Sequence, residues 1–231
     1  MNLLDVLPVA LLGGLLGLDV VSFPQAMLSR PIVAATAAGA LLGDPAGGLL
    51  IGAVLELIAL ETLPFGASRY PEWGSAAVVG GGIFVHEAVH PAGAMALAII
   101  GALATAMLSG WSMVKLRELN ARWATSRRDA LDAGARGTVI GLQLMGMTAD
   151  LVRGAVLTAV AYALLTPTMH AALEVWGADV RISRAVAVVA AASVALAAVW
   201  KIFHAVPGVR WIFGAGFGIG VVIVWTGGFG T

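Results

Sequence analysis

Apolar runs of two lengths alternate along the chain. Gly93 to Val114 and Arg184 to Phe203 each offer the ~20 residues that a helix needs to cross a hydrocarbon layer of about 30 Å. Pro31 to Gly43, Gly47 to Leu60, Ser75 to Val85 and Trp211 to Trp225 are as apolar but fall short of that span. The first two flank a short break at Asp44-Pro45. Leu3 to Phe23 forms an opening element with Gly13, Gly14 and Gly17 near one face, a kink expected at Pro8 and a break at Pro24. Thr138 to Leu165 carries Asp150 and Arg153, which predicts two shorter elements joined near them. Gly80, Gly81 and Gly82 argue against a continuous helix through Ser75 to Val85. Polar connections are expected at Pro64 to Gly74, where Tyr70, Glu72 and Trp73 suit a membrane–water boundary, and at Thr166 to Ser183. The pattern predicts an all-α, polytopic integral membrane protein, an irregular helical bundle that mixes full spans with short re-entrant or broken helices.

Composition removes the soluble alternatives. With 60% hydrophobic and 11% charged residues and a mean hydropathy of +0.95, the chain lies far from a soluble domain, in which about a quarter of residues are charged. Thirteen basic and thirteen acidic residues cancel, so charge gives a nucleic-acid partner no footing. The absence of cysteine excludes disulfides and thiolate chemistry. The start, MNLLDVLPVALLGG, lacks the basic flank of a cleaved signal, carries Asp5, and is read as mature protein.

A single membrane domain is expected over residues 1–231: a half at 1–114 that carries the motifs below, a basic loop at 115–137, and C-terminal helices at 138–231. Lys115, Arg117, Arg122, Arg127, Arg128 and Arg136 make this loop the one dense basic segment, and the positive-inside rule puts it in the cytoplasm. Leu116, Leu119 and Trp123 form a stripe that would let a short helix lie in the interface plane. Contact with anionic lipids or docking of a soluble partner would each use that charge. Trp111, Trp176, Trp211 and Trp225 read as interface anchors.

The candidate chemistry concentrates in Arg30 to Ala67. Glu56 and Glu61 sit in or beside a short apolar run, and a carboxylate at membrane depth normally faces a cavity or a partner. Short Gly/Pro-interrupted segments with a lone acid mark substrate sites of transporters. Glu56 is the first candidate to contact a substrate, with an ion pair to Arg30 as the alternative. A second constellation, His86-Glu87-Ala88-Val89-His90, matches HExxH, in which two histidines one helical turn apart bind zinc. A metal there would take His86, His90 and, as the one further intramembrane ligand, Asp150, and the chain would be an intramembrane zinc metalloprotease. Pro91 directly after the motif and three glycines before it favour a boundary loop instead. Asp150 and Arg153, neighbours on a helix, read as an internal ion pair or a second polar lining.

Ser29 to Asp44, SRPIVAATAAGALLGD, followed by GGLLIGAVLELIAL at Gly47 to Leu60, resembles the IIC membrane subunits of the mannose/sorbose family of the bacterial sugar phosphotransferase system, over roughly residues 10–110. The resemblance implies a multi-pass permease subunit of the bacterial cytoplasmic (inner) membrane. It would work with a IID membrane subunit, bind and translocate a sugar, and release it for phosphorylation by a IIB domain charged by IIA. An oligomer is expected. Such a subunit carries no phosphoryl group and needs no nucleophile, metal or cofactor of its own. Glu56 matches the family's glutamate in LE(L/M)IAL. The sugar site so implied includes Glu56, Gln25, Glu61, Gly66 and Ala67, with Asp19 and His86 as weaker members, since carboxylates and amides take several hydroxyl hydrogen bonds. Three departures stand out: Pro24 and Gln25 replace an acidic pair before the RP motif, Pro64 replaces an asparagine, and the chain ends one helix early. They leave open a diverged, non-transporting scaffold.

Overall fold

The computed structural model describes residues 3–62, 70–87, 90–204 and 206–225. All of the regular structure among them is helical: α1 (Leu3–Leu18), α2 (Pro31–Leu41), α3 (Pro45–Ala59) with a 3₁₀ turn at Leu60–Thr62, α4 (Trp73–His86), α5 (Ala94–Thr125), α6 (Arg128–Asp132), α7 (Arg136–Glu174), α8 (Val180–Phe203) and α9 (Val209–Trp225). Three of these, α5, α7 and α8, are long and apolar enough to cross a membrane.

The short helices form because each start is fixed chemically and each side face is nearly bare. Pro31 and Pro45 occupy first-turn positions, where a missing N–H costs nothing. Asp44 caps α3 by accepting from the Gly47 N–H at 2.8 Å, so the break between α2 and α3 becomes a tight hairpin. The two helices then cross at Gly39 and Gly48, where a Cβ on Gly39 would lie 2.4 Å from the Asp44 carbonyl oxygen. At ~1.5 Å per residue, α2 and α3 reach only about 16 and 22 Å, well short of a span. They form the expected re-entrant hairpin.

The triple glycine does not break α4, which runs unbroken and buried from Trp73 to Val85. Tertiary packing overrides the propensity: Gly80 faces Ala102, Gly81 faces the Ala35 backbone and Gly82 faces Tyr162, each with under 3 Å to spare for a Cβ. Opposite, α5 presents the small stripe Ala98, Gly101, Ala102, Thr105, Ala106 and Ser109. Two other expected breaks are likewise absent. Asp150 and Arg153 lie inside the continuous helix α7, which also absorbs Pro167 and the first half of the expected polar connection at Thr166 to Ser183. No separate interfacial helix carries Leu116, Leu119 and Trp123, because α5 continues as one rod to Thr125, and the short α6 turns the chain into α7. The two charges lie one turn apart and pair with each other along the same helix, so neither forces a break.

Alternating chain direction sorts the molecule into two ends. The C-termini of α1 and α3 and the N-termini of α2 and α4 meet at one end, and α5 passes them at Gly110, packed on the Tyr70 carbonyl. Beyond that point α5, α6 and the start of α7 project as the basic hairpin. The other end holds the α2–α3 tip at Asp44, the start of α5 and the close of α7. In the middle, α1 lies on α7 and α4 is surrounded by α1, α2, α3, α5 and α7.

Candidate functional site

Asp19 follows the last residue of α1, and its almost fully buried carboxylate accepts from the Ala26 N–H at 2.7 Å and the Ser29 N–H at 2.8 Å. A ten-residue strap is thereby folded back on the end of α1 and delivers Arg30 to the first turn of α2. Gln25 and Met27 take positive φ on this strap (59° and 62°), and the Gln25 amide donates to the Val21 carbonyl at 2.8 Å. A cavity of 470 Å³ lies between the strap, the start of α2, Ala59 at the end of α3, and Tyr70-Pro71-Trp73 leading into α4. Its polar lining is Asp19, Gln25, Ser29 and Arg30; its aromatic lining is Tyr70 and Trp73. The hollow thus offers amide, hydroxyl and guanidinium groups beside two aromatic faces.

Glu56 stands one step behind this wall. Its carboxylate pairs with the Arg30 guanidinium and accepts from the Ile32 N–H at 3.2 Å. The ion-pair alternative for Glu56 is therefore the geometry found, and it is Arg30, not Glu56, that lines the cavity. The pair ties the start of α2 to α3 and holds in place the one cationic group among the described residues of the cavity lining. The two side chains are 30% and 20% exposed, so the carboxylate is partly buried and paired rather than isolated.

The other expected site residues are dispersed. Gln25 and Asp19 line the cavity, although both Asp19 oxygens already serve strap amides. Glu61 pairs with Lys201 of α8 at 3.0 Å and faces away from the cavity. Gly66 and Ala67 lie outside the described residues. His86 ends α4 at the far end of the molecule, about 20 Å along the helix from Trp73, with its ring edge-on to Tyr162.

The HExxH segment is not a metal cradle. The helix ends at His86; His90 lies beyond it at φ 44°, stacks on Phe84 and sits 3.1 Å from Asp44. Glu87 pairs with His170 at 3.2 Å. Asp150, named as a third ligand, lies on α7 well before His170, about 30 Å along the helix, and is held by Arg153 and Ser22. Among the described residues no three His, Asp or Glu side chains converge as a metal set would require.

Sequence reasoning missed Glu72, which it placed at a membrane boundary. Glu72 is 0% exposed. It caps α4 by accepting from the Ser75 N–H at 3.1 Å, and also accepts from the Ser75 and Ser109 hydroxyls. The usual cap residue, a serine, threonine, aspartate or asparagine, does not stand before Trp73, so the sequence carried no pointer to this role. Tyr70 was missed as well. Arg117 donates to its hydroxyl at 2.9 Å and stacks over its ring, joining the cavity wall to the basic extension of α5.

Comparison with known proteins bears on this arrangement. The family model described as the sorbose-specific IIC component of the phosphotransferase system matches residues 3–199, well past the stretch in which the sequence resemblance was read. A curated relative, the sorbose-specific EIIC component of Lacticaseibacillus casei, is 40% identical over 50 residues, which make up 22% of this chain and 18% of that protein. Two solved structures share the fold. One, described as a membrane protein, has a TM-score of 0.71 at 20% identity and covers 97% of this chain and 87% of its own. The other, the mannose transporter ManYZ in complex with microcin E492, has a TM-score of 0.61 at 19% identity with the same coverage.

Proposed function

The chain belongs to the sorbose-specific IIC component family of the phosphotransferase system, and on that premise we propose that it is the sugar-binding membrane subunit of a phosphoenolpyruvate-dependent permease, with the cavity under the Asp19–Arg30 strap as its sugar site. The observation that carries this reading is the chemistry of the cavity. A sugar needs donors and acceptors for its hydroxyls and flat apolar surfaces for its C–H faces; Gln25, Ser29 and Arg30 supply the first, Tyr70 and Trp73 the second. Its volume falls within the ~300–1,000 Å³ range of small-ligand sites. Glu56 acts through Arg30, fixing the guanidinium so that little freedom is lost when a hydroxyl binds. Gly66 and Ala67, which fall between Ala59 and Tyr70 in the chain, are retained as contacts. Asp19 shapes the strap, and Glu61 serves the contact with α8.

Sidedness follows from charge. Arg30, the basic hairpin, Lys201 and Arg210 lie at the cavity end, whereas Arg181 and Arg184 start α8 at the other. The cavity end is then cytoplasmic by the positive-inside rule, in a bacterial inner membrane. An opening there suits delivery of the sugar to a IIB domain, itself charged by IIA, with a IID subunit completing the membrane part and the complex forming an oligomer in lipid. This chain needs no nucleophile for that task. The α2–α3 hairpin, from Arg30 onward, is the unit that shifts to expose the cavity alternately, with the Glu61–Lys201 ion pair tying its close to α8.

Uptake of labelled L-sorbose and D-mannose by cells that make this chain with its IIA, IIB and IID partners tests the proposal. Glu56→Gln is expected to lower uptake at limiting sugar about tenfold, the size of one lost charge-assisted bond, while leaving membrane abundance unchanged. Wild-type uptake by that variant would remove the Glu56–Arg30 pair from the site.

A further inference from the structure

A buried polar chain runs beneath the cavity and touches both of its walls. On one side, the strap residue Ser22 donates to Asp150 Oδ2 at 2.6 Å. Asp150, 1% exposed, is held through Oδ1 by Arg153 Nε at 2.9 Å and lies 2.8 Å from Arg153 Nη2. Arg153 Nη1 then donates to the hydroxyls of Ser109 at 2.9 Å and Ser112 at 3.0 Å on α5. Ser109 in turn donates to Glu72 at 2.5 Å, and Glu72 stands between the cavity-lining Pro71 and Trp73. None of these side chains lines the cavity: Glu72 sits between its lining residues Pro71 and Trp73, and Ser22 lies two residues beyond its lining residue Val20.

Charges buried this deeply are costly, and a helix pair could be held more cheaply by apolar contact. What an ionic network gives instead is one register. We infer that Asp150 and Arg153 are positioning residues for the sugar cavity: through Ser22 they pin the strap, and through Ser109 and Glu72 they pin the start of α4, so the two walls are set at a fixed separation by α7. The inference deepens the sugar-site reading and rests on it for its functional meaning, but the mechanical link can be measured without sugar.

The chain contains no cysteine, so Ser29→Cys places a single thiol on the strap. The maleimide labelling rate of that thiol in membranes, without sugar, reports how firmly the strap is seated. Ser22→Ala, which cuts the strap from Asp150 and leaves the Asp150–Arg153 pair whole, is expected to raise the rate about threefold or more, as local opening becomes easier. Ser22→Thr restores the hydroxyl and should return the rate to its starting value. A thiol at Ile212 on α9 should label equally in all backgrounds. Asp150→Asn should raise the Ser29→Cys rate too, and adding Ser22→Ala to it should bring no further increase, because both act through one chain of bonds. An unchanged rate in Ser22→Ala overturns the inference even if Asp150→Asn fails to accumulate. Protection by L-sorbose or D-mannose of a thiol placed instead at Met27, which lines the cavity and is assigned no sugar hydroxyl, reports separately on the sugar site. Loss of protection with an intact Ser22 response would sink that reading and spare the link.

Discussion

Glycine does opposite things in the two halves of this molecule. In α2, α3 and α4, a Cβ on Gly39, Gly48 or Gly81 would come within 3 Å of a neighbouring backbone. In α9, Gly214, Gly216, Gly218 and Gly220 meet no other described atom within 4 Å, and Trp211 beside them is 84% exposed. Equal glycine richness in the sequence thus hides two architectures. The first half uses the missing side chains to bring helices too short to span a membrane into backbone contact, which frees their ends to enclose a polar cavity. In α9 nothing in the structure requires glycine. The long helices α7 and α8 instead turn large apolar residues such as Val156, Leu164 and Val189 outward, as lipid-facing spans do.

Substitutions can break this contrast. The largest effect is expected for Gly39→Ala and Gly48→Ala, where the new methyl must displace backbone rather than a flexible side chain. A loss of about 1–3 kcal/mol is expected, well above the helix propensity gained, and would appear as a lower melting midpoint and reduced membrane abundance. Lys201→Ala comes next. It removes a mostly exposed partner of Glu61 and should change stability by only ~0–1 kcal/mol in the same melting assay. Gly216→Ala should have the smallest effect, within about 0.5 kcal/mol and of stabilising sign if propensity alone decides. A large loss at Gly216, or none at Gly39, would erase the distinction between the two halves.

The hydrophobic pattern disclosed the helical class, the Asp44 break and the re-entrant hairpin because each depends on local chemistry: run length, a cap and a first-turn proline. It misplaced continuity wherever a distant partner decided the outcome. Gly80 to Gly82 read as a break, since their contacts with Ala35, Ala102 and Tyr162 lie far off in the chain. Asp150 and Arg153 read as a joint for a similar reason, although they satisfy one another on a single helix. At the site, Glu56 was found by its apolar setting but not by its geometry. Sequence offered Arg30 as its partner without showing that the arginine stands between it and the cavity. Glu72 was hidden by company: tyrosine, proline and tryptophan beside an acid look like a membrane surface until the fold buries them.

The central claim is that the hollow between the strap and the head of α4 takes a sugar. Equilibrium binding of labelled L-sorbose and D-mannose to the purified protein, set beside Arg30→Lys, tests it most directly. Lysine keeps the charge but loses the planar fork, so affinity should fall about tenfold or more while the melting midpoint moves little. Equal binding by both proteins, or sugar bound with undiminished affinity after Trp73 and Gln25 are also replaced, would place the sugar elsewhere and contradict the account.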